Sequence, residues 1–507
     1  MSAREHTTLL RETTDFASLL YNRQFVAGPR PFRPSQSWRE EKFGSHFYVT
    51  CHPNLTVTKA STSDKEILCL GHILDSDNPA LDNKDILVNI LSLAETFVDF
   101  EKQTWPLGGR WLIFVRIGDQ VRLYPDAGGL RSAFYITRET SDELWIASQP
   151  RLLADAFGLK VDKGRVEQFF KSNFQNSWPG ETTPYKGLYQ LLPNHYLELA
   201  SRQVNRFWPN GNILQFDVNM AAQVVRDILY NLLSSVARRA HMAMALTGGY
   251  DSRVLFNCAG DLRKHVTFFS IVDPGTPHYD ISVPKALARQ SGVKLHRVRT
   301  KPTDNLIKTI FKANTSDMYW DPTDFRAYSF GIYDKGWFVI TGHAGEVARC
   351  FYYKDGVHPS VITPEVLSGV TGYHGNPIAM KSFAKWLLDV PRDTNINVLD
   401  LLYWEHRLGN WGAMMATGLD TVCEIIPPFN CRKVLEIALG ADVLFRQKPY
   451  SLFRKICAIG DPKTVLLPFN TSKRDQIVGA LKNLVPWRIR EKTYWIRMKL
   501  VGLSAPR

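Results

Sequence analysis

From about residue 46 the apolar positions come in short bursts. HFYVT (46–50), EILCLGHIL (66–74), RWLIFVRI (110–117), QVRLYP (120–125) and ELWIAS (143–148) are separated by NP, GG, GD and SD signals. That is the pattern of antiparallel strands joined by turns. Among them, DNKDILVNILSLAETFVDF (82–100) carries apolar residues at helical spacing and predicts a helix. Together these predict a layered α+β domain over 46–209. Residues 1–45, with RPFRPS and few periodic apolar positions, read as a loop-like amino-terminal extension. The stretch 151–215 adds a helix and the turn-strand run KGLYQLLPNHYLELASRQVNRFW, and Pro, Asn and Gly cluster in WPNGNI (208–213), where a domain boundary is placed.

Beyond that boundary the period changes. Val225, Leu229, Leu232 and Val236 fall on one face of an amphipathic helix. MAMAL (242–246) suits a buried parallel strand, TGGYDS (247–252) a turn, and SRVLFNCAG a following helix. A strand in 265–275 and a helix leading to another strand in 278–298 continue the alternation. Alternating strands and helices predict a doubly wound parallel sheet over 210–480, with ligands bound at the carboxyl ends of its strands.

With 507 residues, 44% apolar and 22% charged, the chain is long enough for several domains and is neither fibrous nor largely disordered. No run of about 18 apolar residues predicts a transmembrane helix. The first residues lack the pattern of a secretory signal, and the seven cysteines form no CxxC pair, so a cytoplasmic location and reduced thiols are expected. The net charge of +13 would attract nucleotides, nucleic acid or lipid head groups, or would simply solvate the surface.

The turn at 247–252 carries the chemistry. Gly248 and Gly249 would let the backbone approach an anion, Thr247 and Ser252 supply hydroxyls, and the helix amino terminus adds its dipole. Asp251 would be repelled by phosphate unless a cation lay between them, which makes it a Mg²⁺ ligand. A tight turn with a helix cap is the alternative. TGGYDS closely resembles the SGGxDS pyrophosphate loop of the adenine-nucleotide α-hydrolase superfamily, which cleaves ATP between its α and β phosphates.

The order of segments resembles the class B asparagine synthetases and their amide-forming relatives, the β-lactam synthetases and lasso-peptide cyclases. Residues 108–135 and 185–199 are similar to two segments of that family's glutaminase domain, while 338–353 and 425–439 take the places of its SGEGADEIFGGY and VPFLDxxLVEFAL segments. The resemblance implies a degenerate Ntn-hydrolase-like layered domain followed by an ATP-pyrophosphatase domain, and an enzyme that adenylates a carboxylate and passes it to ammonia or a substrate amine. It implies ATP contacts at Leu246, Thr247, Gly248, Gly249, Asp251, Ser252, Ile271 and Gly342, and Mg²⁺ contacts at Asp251 and Glu346. Arg349 would bind pyrophosphate. Lys473, with Arg474 as rival, would offset charge as the acyl adenylate forms and collapses.

The departures matter as much. The family's nucleophilic cysteine follows the initiator methionine, whereas Ser2 stands here, so no glutaminase activity is expected. Glu346 takes the place of the family's Asp and Val347 that of its Glu. Tyr403, Glu405, His406 and Arg407 would line an acceptor pocket, with Glu405 or His406 as base, although helix packing explains the same residues. The segment 481–507 interleaves Trp487, Tyr494 and Trp495 with basic residues and would suit an anionic partner. Two rival functions remain, an RNA-modifying ATP-pyrophosphatase and a catalytically inactive synthetase-like binding protein. The carboxylate, the amine and the oligomeric state, a homodimer included, are left open.

Overall fold

A computed structural model of the chain describes residues 19–45, 47–172, 177–273, 276–299, 305–318 and 336–469. Its first half holds two six-stranded antiparallel sheets. One comprises β1 (Phe25–Gly28), β2 (Arg39–Phe43), β3 (Phe47–Cys51), β8 (Phe134–Ile136), β9 (Ile146–Ala147) and β10 (Leu188–Gln190), in the order β10-β8-β9-β1-β3-β2. The other comprises β4 (Val57–Ser61), β5 (Lys65–Asp75), β6 (Leu107–Ile117), β7 (Gln120–Pro125), β11 (His195–Glu198) and β12 (Val204–Arg206), in the order β12-β11-β7-β6-β5-β4.

The sheets pack face to face through Phe25, Phe43 and Val49 on one side and Leu68, Leu70, Leu112 and Phe114 on the other. The alternate residues of the same strands do not meet water either. Ile67, Cys69 and Ile113 pack under the helices Asn83–Leu93 and Phe97–Thr104, and Val26, Ile136 and Ala147 under Pro150–Phe157. The result is four layers, helix, sheet, sheet and helix. Burial on both faces explains why EILCLGHIL and RWLIFVRI read as continuous apolar runs instead of alternating ones.

Two expectations need correction. Residues 19–45 are not an extension: β1 lies in the middle of its sheet, paired with β3 and β9, and β2 forms its edge. Three apolar residues and a glycine among prolines and arginines suffice there because both faces are covered. The helix expected over 82–100 is two helices, each started by its own capping box, Asp82 with Asp85 and Thr96 with Asp99.

The second half is built on a five-stranded parallel sheet of β13 (Met242–Ala245), β14 (Val266–Ile271), β15 (Leu295–Val298), β16 (Phe338–Ile340) and β17 (Glu424–Ile426), in the order β15-β14-β13-β16-β17. The chain moves one way from β13 through β14 to β15 and then returns to β13's other side for β16. The crevice at the carboxyl ends of β13 and β16 is therefore a topological switch point, the usual ligand position in such sheets. The helix Val218–Arg239 packs beneath, burying Val225, Leu229, Leu232 and Val236 as expected. All seven cysteines are buried and unpaired. Among the described residues, no helix is long and apolar enough to cross a membrane.

The halves meet through buried charge. Arg110 forms a two-pronged pair with Asp420 (2.6 Å for each bond), and Arg131 reaches Asp420 at 3.2 Å and Glu424 at 2.6 Å. Burial disfavours ionised Glu424, yet His72, Arg131 and Arg23 together hold its carboxyl well below the ordinary range. A second tie centres on Glu405, which accepts from Asn194 (2.9 Å), from Arg206 (2.5 and 2.9 Å) and from Trp386 (2.6 Å).

Candidate functional site

The segment 247–252 lies where the sequence places it, between the end of β13 and the helix Tyr250–Cys258, at the switch point. Leu246 is fully buried, its amide bonded to Phe269 of β14 and its carbonyl to the Ser270 hydroxyl. Ile271 ends β14 beside it. Thr247 and Ser252 bind each other through their hydroxyls at 2.9 Å, closing the turn. No side chain caps the amino terminus of the helix Tyr250–Cys258, among the described residues. Its first-turn amides and dipole thus face the crevice as an anion site.

Three of the loop amides are already used: that of Thr247 donates to the Ser252 hydroxyl at 3.3 Å. Gly248 donates to Asp280 at 2.8 Å, and Gly249 to the Thr247 hydroxyl at 3.1 Å. The need for glycine at 248 is steric: a Cβ there would lie 2.9 Å from the Tyr279 ring and 3.0 Å from its carbonyl. The close approach seen at Gly248 is that of Tyr279 and Asp280.

The second wall of the crevice follows β16. Gly342 passes so near the loop helix that a Cβ would sit 2.5 Å from the Asp251 Cβ. The short 3-10 turn Gly345–Arg349 then brings Arg349 to Asp251 at 2.7 Å and to Glu346 at 3.3 Å. Asp251, Glu346 and Arg349, singled out separately in the sequence, form one cluster. Arg349 was expected to hold pyrophosphate; in this structure its guanidinium neutralises the two carboxylates. Burial raises the Asp251 carboxyl above the ordinary range, Arg349 opposes the rise, and Glu346 adds to it. Asp251 Oδ1 is buried with no hydrogen-bond partner.

Tyr403, Glu405, His406 and Arg407 lie on one wide π-helical stretch, Tyr403–Gly412, but they divide between two places. Tyr403 faces the cluster, where burial and then the charge of Glu346 push its hydroxyl well above its ordinary value. Arg407 stacks on Trp411 at 4.5 Å, and Trp411 in turn neighbours His343. Glu405 is fully engaged. Its four acceptor positions are filled by Asn194, Arg206 and Trp386. Burial disfavours its ionised form, but Arg206 above all, with His195 and Trp386, lowers its pKa below the ordinary value. His406 is buried between Phe383 and Trp386, and burial lowers its pKa to about 4. Lys473, Arg474 and the segment 481–507 lie outside the described residues.

An aromatic column that the sequence does not announce stands beside the loop. Tyr250 stacks on Phe469 (4.5 Å, 15°) and meets Tyr450 edge-on (4.9 Å), and Arg349 lies 5.3 Å over Tyr450. The middle residue of TGGYDS was the available signal, but one aromatic in a turn does not disclose partners about 200 residues away.

No family model matches the chain, and no curated protein does. Among solved structures, glutamine phosphoribosylpyrophosphate amidotransferase from B. subtilis, complexed with ADP and GMP, overlaps 58% of this chain and 66% of its own at 10% identity and a TM-score of 0.24. Glutamine-dependent NAD+ synthetase from Acinetobacter baumannii, in complex with ADP, overlaps 37% and 43% at 12% identity and a TM-score of 0.18. NMN synthetase from Francisella tularensis overlaps 37% and 75% at 15% identity and a TM-score of 0.19. The chain thus spans just under two thirds of the first and under half of the second. Overlaps this loose decide neither fold family nor activity.

Proposed function

We propose that this chain is an ATP-dependent carbon-nitrogen ligase releasing AMP and pyrophosphate, built like the class B asparagine synthetases but without glutaminase activity. The observation that supports this most is the loop helix, uncapped at the switch point, with Asp251, Glu346 and Arg349 gathered at its first turn. An anion site flanked by carboxylates suits a polyphosphate that carries a divalent cation. Mg²⁺ typically takes one or two carboxylates beside phosphate oxygens and water, and the unpartnered Asp251 Oδ1 with nearby Glu346 fits that requirement. When bound, Mg²⁺ would offset triphosphate charge. The four-layer first half supports the reading of a degenerate Ntn-hydrolase-like domain.

In this reading a substrate carboxylate oxygen attacks the α-phosphorus of ATP, the bond to the bridging α-β oxygen breaks, and pyrophosphate leaves with that oxygen. An amine nitrogen then attacks the acyl carbon, the bond to AMP breaks, and the nitrogen releases a proton. The chain's part is to hold the triphosphate on the helix amino terminus and to meet developing charge with Arg349 and Lys473. Mass spectrometry of AMP and new amide products from lysate metabolites tests the reading; ADP and phosphate in their place would overturn it.

Lys473 is expected to act in the transition state more than in ATP binding. Lys473→Ala should lower kcat by about 10² or more with little change in ATP affinity, and Arg474→Ala should be milder. Equal, small effects at both positions would shift the role to Arg349.

Glutamine should not be hydrolysed. All seven thiols are buried, and burial pushes that of Cys51, at the end of β3, up to about 11, so little thiolate exists near neutrality. Purified protein should release no glutamate from glutamine, with or without ATP. Release abolished by changing Ser2 would reverse this.

A further inference from the structure

The residue after the nucleotide loop motif, Arg253, has no role in the reading above. It lies on the loop helix, and its side chain is completely buried. Among the described residues it has no carboxylate within ion-pair distance. Its guanidinium donates to the Leu467 carbonyl at 3.1 and 3.2 Å and to the Pro468 carbonyl, and its Cζ lies 3.7 Å from the centre of the Phe469 ring. A buried cation met only by carbonyls and a ring is a costly way to fill space, since an apolar residue of similar volume often packs as well or better. Stability alone does not account for it.

The neighbouring contacts show what it does. Along one face of the loop helix, Asn257 accepts from Thr464 at 3.1 Å, Arg253 holds Leu467 and Pro468, and Tyr250 stacks on Phe469 at 4.5 Å. As the chain advances from 464 to 469, its partners recede from 257 to 250. The segment 464–469 therefore runs antiparallel to the helix and reaches its amino terminus, the anion site, at Phe469.

We propose that Arg253 is a positioning residue, clamping segment 464–469 along the loop helix so that the chain leaves Phe469 at the mouth of the nucleotide site. This rests on the ligase reading for its catalytic consequence, but the clamp itself is independent of it. Arginine is required because its fork reaches two successive carbonyls while its charge sits over the ring; a lysine offers no such fork.

Arg253→Met keeps volume and removes the fork. Hydrogen exchange of peptides covering 464–469 in the full chain should rise at least tenfold in this variant, less in Arg253→Lys. AMP formation from ATP and Mg²⁺, with a metabolite extract that supports wild-type turnover, should show kcat down at least tenfold and the ATP KM within about threefold. Arg253→Lys should recover part of kcat. Unchanged exchange, or loss of ATP binding in parallel with kcat, would overturn the proposal. If Arg253→Met fails to fold, Phe469→Leu provides the same two readouts, and unchanged exchange and kcat there would overturn it as well. A wild-type chain that forms no AMP defeats the ligase reading, while the exchange measurement still decides the clamp.

Discussion

Asp251→Asn is expected to reduce AMP and pyrophosphate release by about 10³ or more while the protein stays folded. Three features make this position so sensitive. Asp251 sits in the first turn of the loop helix, its Oδ2 pairs with Arg349 at 2.7 Å, and its Oδ1 is buried without a partner. The unpartnered oxygen is the group that a cation would claim, and an amide nitrogen or a neutral oxygen in its place is a far poorer ligand. Folding should not suffer in the same measure. A carboxyl raised above its ordinary value binds protons more readily folded than unfolded, so ionised Asp251 subtracts stability as pH rises through that window. The asparagine variant lacks this liability, and its amide oxygen still accepts from Arg349. The thermal midpoint near pH 8 should therefore change by only a few degrees. Nucleotide turnover that survives the substitution would remove Asp251 from the site, and a variant that unfolds would make the aspartate structural.

The parts of this site that could be read from the sequence are those made by one contiguous stretch. A strand, a glycine turn and a helix carry their own periodicities, so 242–258 is legible without knowledge of packing. The capping boxes at Asp82 and Thr96 are legible too, because both partners lie within three residues, and they divide 82–100 into two helices. Pairings across long separations were not readable. Asp251 and Arg349 were each noted, but that the arginine neutralises the aspartate depends on β16 lying beside β13. The same holds for Tyr250 with Phe469 and for the central place of β1, where three apolar residues and a glycine gain meaning only from the strands on either side. Glu405 is the plainest case. A carboxylate beside a histidine suggests proton transfer, and nothing local shows that Asn194 and Arg206 fold back to saturate it.

Glu405→Gln is accordingly expected to destabilise the protein by about 3 kcal/mol, because it leaves Arg206 buried against an amide in place of a carboxylate. Urea unfolding near pH 7 measures this directly. The pH dependence provides a second check. Glu405 lies below its ordinary value of 4.5 when folded, so its pairing adds stability that is fully present above that pH and is lost as pH falls through the folded value. Wild type and variant should therefore converge in stability as the solution is acidified below about pH 4.5, apart from the losses at Glu424 that both share. A general base would behave in the opposite way: removing it would leave the urea midpoint in place and abolish amide formation from a fully folded enzyme. The structure favours the first outcome, since all four acceptor positions of Glu405 are occupied and none remains to receive a proton from an amine. Loss of turnover in the variant should then follow the folded fraction and recover when ligand or lower temperature restores folding.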